Sequence, residues 1–301
     1  MHSDPSPSPK IKVAVSSFTR AQLEIDMADY GLGTLGNLCN RIIAGHEAWP
    51  IPEKEFPHEE RYKNSRPIQF NLYKQNFQFF NFVDSRHLRP ATYCRYLFKK
   101  YTCLPRCRRE LFVQRQWVEV LYCAIKNRAK VTLTYRDRQR ECAPCFIAFS
   151  PSLARAYVVV YEAGREQNAL DCFCALRIAH IRDVAVGKRD SAAVLSRYEI
   201  KCTMELYREH FDPYLSYGKI VKIRLTPEGE RLLQNITTNR PLWNGEQKDG
   251  VYEFNCTETH AKHYFAQFLK EAEVLSPASL REWFAEQFRL AAATYTFREN
   301  P

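Results

Sequence analysis

The sequence predicts a chain of the α+β class made of three parts, and three observations support this. The first part repeats the order strand, helix, helix. The middle part, residues 116–190, begins with a helix and continues with short alternating strands. The last part, residues 191–301, mixes strands with capped helices. A chain of 301 residues with 45% hydrophobic content is long enough for two or three folded domains.

The first copy of the repeated order begins with "KIKVAV", in which apolar and polar residues alternate. This alternation predicts a half-buried strand with Lys10 and Lys12 on its polar face. An amphipathic helix, "TRAQLEIDMADY", is predicted to begin near Thr19 and to end before Gly31. Thr34 is expected to cap a second helix, "LGNLCNRII".

The same order returns further along the chain at "IQFNLY". Ile68 alternates here with Gln69 and Asn71, which predicts a second strand with the two amide side chains facing outward. A helix over residues 75–85 follows, and a further helix is expected to begin at Pro90, because proline is favoured at the first helical position.

The repeated order resembles the ribbon-helix-helix proteins, in which two strands pair into an antiparallel ribbon whose outer residues enter the DNA major groove. "QFNL" resembles the DNA-contacting strand of the Arc-type phage repressors, and Tyr73 stands where that strand has an arginine. The resemblance implies a ribbon-helix-helix region over residues 10–115, as one copy or two in tandem. Its candidate nucleic-acid-binding residues are Lys10, Lys12, Gln69 and Asn71. A dimerisation or scaffold role for the same fold stays open.

Two segments are expected to lie outside the folded domains. Residues 1–9 have no apolar core and predict a disordered lead-in rather than a secretory signal. Residues 46–66, rich in proline and charge, predict a linker. No apolar run approaches the roughly 18 residues of a transmembrane helix, so no membrane is expected. Because the 11 cysteines accompany no export signal, we expect a cytoplasmic protein with reduced thiols.

The positive charge of the chain is concentrated in its first two thirds. The net charge is +10; residues 1–190 carry 30 basic and 19 acidic side chains, whereas residues 191–301 carry 14 and 15. Lysines and arginines that contact phosphates release counterions, so a basic surface with many aromatic residues favours a nucleic-acid partner. A solvated basic face without a partner is the alternative.

The middle part resembles the WYL domain, an Sm-like small β-barrel, over residues 117–186. "AIKNRAKVTLTY" resembles the opening helix and first strand of that family and ends in its characteristic tyrosine, Tyr135. Tyr157 and Arg177 also match the family. The neighbours of Tyr157 replace the Trp and Leu of the name motif, and Cys174 replaces one of the two family arginines.

In WYL domains the two arginines and the tyrosine help form a basic groove that is proposed to bind negatively charged ligands or nucleic acid. Because one of those arginines is absent here, Arg177 and its basic neighbours would supply the charge. The resemblance therefore implies a groove with these candidate nucleic-acid-binding residues: Tyr135, Arg136, Arg138, Arg140, Arg155, Tyr157, Arg177 and His180. Whether a small ligand occupies the groove stays open.

Four cysteines, in "CAPC" (142–145) and "DCFC" (171–174), are enough in number for a tetrahedral zinc site. However, C-x-C within a strand points both sulfurs to one face, and cysteine is often a buried small hydrophobe. We therefore predict core thiols and no metal. His260 and His263 lack a third ligand and predict a solvated helix face. No catalytic residue and no cofactor is predicted.

In the last third, Thr226 is predicted to cap a helix that begins with Pro227. "DGVYEFNC" predicts a hairpin strand after an Asp-Gly turn. The stretches "AEVLSP" and "LREWFAEQF" resemble the extension that follows WYL domains, which implies an α/β sandwich used for dimerisation or regulation. The predicted domains are therefore residues 10–115, 116–190 and 191–301.

The complete architecture resembles the accessory WYL proteins encoded beside type VI-D CRISPR effectors. This resemblance implies a non-catalytic homodimer that binds single-stranded RNA and enhances a type VI CRISPR effector, an RNA-guided RNA nuclease. The alternative is a ligand-responsive transcriptional regulator that contacts duplex DNA through the ribbon. Only Gln69 and Asn71 are suited to contact base edges there, so RNA binding is favoured.

Overall fold

The structure is a computed structural model that describes residues 9–50, 66–163, 172–244 and 248–296. The predicted lead-in, except for residue 9, and most of the predicted linker lie outside the described residues. The chain divides into two compact units. The first unit comprises Met1–Lys126, Val131–Arg140 and Arg177–Val186; the second comprises Asn127–Lys130, Glu141–Leu176 and Gly187–Pro301.

The order strand, helix, helix occurs twice in the first unit, as predicted. Its elements are, in chain order, β1 (Lys10–Val13), α1 (Ser17–Asp29), α2 (Leu35–Ile43), β2 (Ile68–Asn71), α3 (Gln78–Ser85) and α4 (Pro90–Thr102). Short 3₁₀ turns lie at His46–Ala48 and Lys74–Asn76. Two further helices follow, α5 (Arg106–Val113) and α6 (Arg115–Lys126).

Local capping decides where these helices begin. The Ser16 side chain accepts a hydrogen bond from the Thr19 N–H, so α1 begins earlier than the sequence predicted. Thr34 caps α2 as predicted, and Pro90 is the first residue of α4. Such caps provide acceptors for the N–H groups that the first helical turn leaves without a partner.

Strands β1 and β2 pair with each other in antiparallel orientation. The register places Lys10 opposite Asn71 and Lys12 opposite Gln69, and all four side chains are exposed. The alternate residues of both strands are buried in the core of the first unit. The sequence left open whether the ribbon needs a second subunit; in the structure it closes within one chain.

The middle strands form one sheet. They are β3 (Ala129–Tyr135), β4 (Arg138–Ser150), β5 (Arg155–Tyr161), β6 (Phe173–Arg177) and β7 (Ile181–Asp190), in the order β6-β5-β4-β3-β7. Within the described residues this sheet is open, so the small barrel that the resemblance implied is not confirmed. The mixture of helices and sheets confirms the predicted α+β class.

Residues 129–141 include a hairpin and not one continuous strand. Arg136 and Asp137 form a two-residue turn with φ of 46° and 64°, so the chain reverses directly after Tyr135. Turns of this kind are usually made by Asn-Gly or Asp-Gly, and neither pair is present here. The reversal places Arg138 and Arg140 on β4, the strand that neighbours β3.

The rest of the second unit begins with two helices, α7 (Ala192–Leu195) and α8 (Tyr198–Glu209). The elements that follow are β8 (Ile220–Leu225), α9 (Pro227–Asn235), β9 (Leu242–Trp243), β10 (Val251–Asn255), α10 (Glu258–Phe265), β11 (Ala272–Ser276) and α11 (Ala278–Thr296). The strands form a sheet in the order β11-β8-β10-β9, and its core includes Ile223, Phe254 and Leu280. Thr226 caps α9 as predicted. None of the described helices is long and apolar enough to span a membrane.

Asn40 joins the end of β2 to α2. Its side chain is 1% exposed, and its amide nitrogen donates to the carbonyl oxygens of Gly36 at 2.9 Å and Asn71 at 3.0 Å. Its amide oxygen accepts from the Tyr73 backbone N–H at 2.8 Å and from the Asn76 side chain at 3.0 Å. One buried amide therefore fixes the chain where it leaves the ribbon.

We expect Asn40→Ala to lower the free energy of unfolding by about 2 kcal/mol or more, because it leaves buried donors and acceptors without partners. Urea unfolding followed by circular dichroism measures the loss. Asn81→Ala, at an exposed position of α3, is the matched control and should change stability by about 0.5 kcal/mol at most. Equal stability of the two variants would contradict the assigned role of Asn40.

Candidate nucleic-acid interface

Arg177 is an interior residue of the first unit. Its side chain is 6% exposed. The guanidinium donates to both carboxylate oxygens of Asp29, with Nη1 3.0 Å from Oδ1, and its Nε donates to Glu110 at 3.2 Å. Glu110 is fully buried and also accepts the Ala179 backbone N–H at 2.8 Å. Arg177 therefore joins α1 to α5 through charge.

A second buried ion pair connects the same two helices. Nε of Arg109 lies 2.7 Å from Oδ2 of Asp26, and the Tyr101 hydroxyl donates to that oxygen at 2.7 Å. Burial raises the pKa of Tyr101, and the charge of Asp26 raises it further. Buried charges destabilise a protein unless they are paired, so both pairs are part of the core that positions the helices.

The carboxylate of Asp29 is ionised over the whole physiological range. Burial raises its pKa, but hydrogen bonds from Arg177 and Arg106 outweigh burial and lower the pKa from 3.8 to about 2. Because the folded-state pKa lies below the unfolded one, Asp29 stabilises the fold above about pH 4. This contribution is lost as the pH falls toward 2.

Two predicted groove residues do not present their side chains to solvent. The guanidinium of Arg177 is engaged by two carboxylates of the same unit, so the geometry favours a role in stabilising the fold and not in binding a ligand. Tyr157 is 7% exposed, and its ring lies 5.8 Å from that of Phe211 in the second unit. Arg155, also on β5, is partly exposed. We therefore look for ligand contacts among the predicted residues that are more exposed than Arg177 and Tyr157.

Tyr135 is the centre of a group of cationic side chains in the first unit. Its ring is partly exposed at the end of β3, and the guanidinium carbons of Arg136 and Arg140 lie 5.7 and 5.6 Å from the ring centroid. The His180 ring packs against it edge-on at 6.1 Å. The reversal at residues 136–137 is what brings both arginines to one ring. We call Tyr135, Arg136, Arg140 and His180 the tyrosine cluster.

Arg138 is exposed on β4 beside this cluster. The predicted ribbon residues lie together elsewhere in the first unit, on the exposed face of the β1–β2 pair. The residues on that face are Lys10, Lys12, Gln69 and Asn71. The structure therefore groups the exposed candidates into two sets, the tyrosine cluster with Arg138 and the ribbon face.

The pKa of His180 is lowered by its burial and by the positive charges around it. Burial lowers its pKa, and the nearby cations Arg177, Arg136 and Arg182 lower it further, to about 4, against the opposing effect of Asp29. The imidazole is therefore neutral at pH 7. Its protonation is unfavourable for folding, so its contribution to stability is complete above pH 6.5 and falls as the pH approaches 4.

Three arginines near the cluster were missed by the sequence reasoning: Arg41, Arg115 and Arg182. Arg182 follows His180 by two residues, and this closeness along the chain was the available signal. Arg41 and Arg115 lie on the helices α2 and α6, and only the tertiary fold brings them close to β7. They are partly exposed, whereas Arg182 is exposed.

A glycine spacing was also missed. Gly31, Gly33 and Gly36 have the G-x-G-x-x-G spacing of dinucleotide-binding loops, and the first two have φ of 59° and 74°. In those loops the glycines follow a strand. Here they follow the helix α1, so the structural context of a dinucleotide site is missing.

The cysteines of the middle part are mostly interior. Cys142, Cys145 and Cys172 are buried, and Cys174 is partly exposed. Burial raises the pKa of Cys145 to about 12, which disfavours the thiolate that zinc requires. No group of three or more His, Cys, Asp or Glu side chains suited to a metal ion is found in the described part of the chain.

The predicted solvated face of α10 is wrong for one of its histidines. His260 is 4% exposed, with Nδ1 3.2 Å from the Ser216 hydroxyl and Nε2 2.8 Å from the carbonyl oxygen of Asn239. Its ring also stacks on Tyr214 at 4.2 Å. His263 is exposed, as expected. These contacts make His260 a core residue of the second unit.

Comparison with known families agrees with this architecture in the last third of the chain. Residues 220–292 match the WCX domain. This match supports the resemblance to WYL-domain proteins, because it covers most of the part that resembled their C-terminal extension. The chain matches no curated protein.

The fold as a whole resembles a solved structure. A crystal structure of a CRISPR Cas-related protein matches with a TM-score of 0.71 and 15% sequence identity, over 99% of this chain and 96% of that one. At this identity the likeness concerns the fold alone. The proteasome accessory factor B/C (PafBC) of Arthrobacter aurescens matches with a TM-score of 0.29 and 13% identity, over 75% of this chain and 36% of that one. A TM-score this low supports no inference.

We expect Arg177→Ala to lower the free energy of unfolding by about 3 to 5 kcal/mol, because it leaves the buried carboxylate of Glu110 without its cation and removes one of the two arginines that pair with Asp29. Urea unfolding at pH 7 measures the loss. Arg189→Ala is the control, since the Arg189 side chain is 78% exposed and its ion pair with Glu141 lies at the surface. A loss no larger than that of the control would show that the fold does not need Arg177.

We expect nuclear magnetic resonance titration to find the pKa of His180 near 4, and Arg136→Gln to move it toward its ordinary value of 6.5. The reason is that removing a nearby cation makes the imidazolium less unfavourable. Arg86→Gln alters an exposed arginine that does not act on His180 and should leave the titration unchanged. An unchanged pKa of His180 in Arg136→Gln would show that Arg136 does not act on this histidine.

Proposed function

We propose that the protein is a non-catalytic accessory protein that binds single-stranded RNA and enhances a type VI CRISPR RNA-guided RNA nuclease. The tyrosine cluster is the observation that supports RNA binding most directly. Single-stranded nucleic acids are held by aromatic rings on which bases stack and by cations that neutralise phosphates. A partly exposed ring with two guanidinium groups within 6 Å supplies both.

The proposed CRISPR association rests on the architecture. The fold matches that of a CRISPR Cas-related protein over nearly the full length of both chains, and the WCX match lies where the sequence resembled the extension of WYL proteins. We further infer that residues 10–102 form a tandem ribbon-helix-helix unit and that residues 116–190 correspond to a WYL domain. Because the ribbon closes within one chain, we place the proposed homodimer contact in residues 191–301.

A second candidate function is supported by the ribbon face. Lys10, Lys12, Gln69 and Asn71 all point outward from one antiparallel pair, the arrangement with which ribbon proteins contact the DNA major groove. In this alternative the protein is a ligand-responsive transcriptional regulator. Only the two amide side chains are suited to contact base edges, so we rank this function second.

Direct binding separates the two functions. The purified protein is titrated into labelled single-stranded RNA, single-stranded DNA and duplex DNA of matched sequence at two salt concentrations, with fluorescence anisotropy as the readout. We expect the tightest binding to RNA, weakened by salt because phosphate contacts release counterions. Preference for the duplex would identify a regulator instead.

We expect Tyr135→Ala to weaken binding of single-stranded RNA about ten-fold, because a base that stacks on an aromatic ring contributes about 1–3 kcal/mol. Tyr198→Ala, at a tyrosine that is 82% exposed on α8, is the matched control and should leave RNA binding unchanged. The double variant Lys12→Ala, Gln69→Ala should retain RNA binding and lose binding to duplex DNA. Thermal melting verifies that each variant is folded.

The same variants test the accessory role. In a cleavage assay with a type VI effector and its guide RNA, the wild-type protein should accelerate RNA cleavage, and Tyr135→Ala should do so less than Tyr198→Ala. Cleavage that is unaffected by the wild-type protein would contradict the accessory role. RNA binding lost in the ribbon variant but retained in Tyr135→Ala would move the RNA site to the ribbon face.

A further inference from the structure

The tyrosine cluster is connected to the end of the ribbon through the side chain of Gln114. This glutamine is fully buried, and its amide nitrogen donates to the carbonyl oxygen of Ala179, the residue before His180, at 3.0 Å. Its amide oxygen accepts from Nη1 of Arg41 at 2.7 Å. One side chain therefore spans the space between Arg41 and the backbone beside the cluster.

Arg41 is in turn adjacent to the end of β2. Asn40 accepts the backbone N–H of Tyr73 at 2.8 Å, so Tyr73 lies beside the turn of α2 that contains Arg41. Tyr73 is 43% exposed directly after the ribbon strand. The first unit thus presents a second exposed aromatic ring. Three hydrogen bonds connect the backbone at this ring to the backbone beside the tyrosine cluster, by way of the adjacent residues Asn40 and Arg41.

Three arginines, Arg41, Arg115 and Arg182, lie near this connection. Nη1 of Arg115 donates to the Arg41 carbonyl oxygen at 2.9 Å, and Nη1 of Arg182 donates to the Tyr30 carbonyl oxygen at 3.2 Å. Burial lowers the pKa of Arg41, and the charge of Arg182 lowers it further. Burial likewise lowers the pKa of Arg115, and the charge of Arg41 adds to this effect against that of Glu119. These cations therefore repel one another.

The repulsion is not relieved by ion pairs within the described residues. No described carboxylate lies within 4.0 Å of the guanidinium nitrogens of Arg41, Arg115, Arg136 or Arg182. The contacts that hold these arginines are made to neutral acceptors, such as backbone carbonyl oxygens and the amide of Gln114. A row of phosphates would supply the missing negative charge.

We propose that one RNA strand crosses the first unit from Tyr135 to Tyr73, with bases stacked on both rings and phosphates beside the arginines between them. The proposal rests on the proposed RNA-binding function and extends the site beyond the tyrosine cluster. We call the cationic residues of this path the arginine track; they are Arg41, Arg115, Arg136, Arg140 and Arg182. The ligand is single-stranded, because the base faces of a duplex are already stacked and unable to cover either ring.

The arginine track sets the expected salt dependence. Each phosphate contact with a single strand contributes about −0.7 to the slope of log affinity against log salt, so five contacts give a slope of about −3.5. Arg182 is more exposed than Arg41 and Arg115. Replacing it by glutamine should reduce the magnitude of this slope by about 0.7. An unchanged slope in Arg182→Gln would remove this arginine from the path.

The decisive variant is Tyr73→Ala, tested with two uridine oligomers of about 12 and about 4 nucleotides, since single-strand sites commonly cover about 4 to 16 nucleotides. We expect the variant to bind the long RNA about ten-fold more weakly, because it loses one stacked base. We expect the short RNA to bind at the tyrosine cluster alone, so its affinity should change less than about two-fold. Tyr73→Phe keeps the ring and should bind both as the wild type does.

The outcomes distinguish this path from the proposed function itself. If Tyr135→Ala weakens RNA binding and Tyr73→Ala does not, the path is overturned and RNA binding at the cluster stands. If Tyr73→Ala weakens only duplex DNA binding, the ring belongs to a DNA-contacting ribbon and the path is likewise overturned. If the wild-type protein binds neither RNA, the proposed RNA-binding function is overturned, and the path with it. Tyr198→Ala again serves as the control for an exposed tyrosine outside the path.

Discussion

The first unit depends on the pairing of Arg177 with the carboxylates of Asp29 and Glu110. These two residues lie on different helices; Glu110 is fully buried, whereas the Asp29 side chain is 18% exposed. The cation that neutralises both comes from the end of β6, 148 residues beyond Asp29. Helices α1 and α5 therefore require a strand from the middle part of the chain, and the compact unit contains residues of two predicted domains.

Features set by neighbouring residues were predictable from the sequence. The caps of α2 and α9 and the start of α4 were found because Thr34, Thr226 and Pro90 act on the helical turn next to them. The strands of the ribbon were found because alternation records which face is buried. Their exposed residues were consequently correct as well, although their pairing within one chain was not determined.

Features set by distant residues were not predictable. An arginine in an alternating strand gives the same pattern whether it faces solvent or carboxylates of the interior such as Glu110, so the buried position of Arg177 had no local signal. The turn at Arg136 and Asp137 contains no glycine, so the usual local signal of a two-residue turn was absent. Arg41 and Arg115 belong to the candidate site only because the fold brings Arg41 near Arg182 and brings Arg115 to the carbonyl oxygen of Arg41. The sequence therefore named the aromatic centre of the candidate site but not the arginines around it.

A ribbon made by two identical subunits obeys twofold symmetry, and every substitution in it appears twice. In this protein Lys10 faces Asn71 and Lys12 faces Gln69 across the pair, so the two strands present different chemistry. Each strand is free to change by mutation without altering the other. A nucleic acid bound on this face has no reason to be palindromic, and one edge of the ribbon can acquire a new contact while the opposite edge keeps an old one.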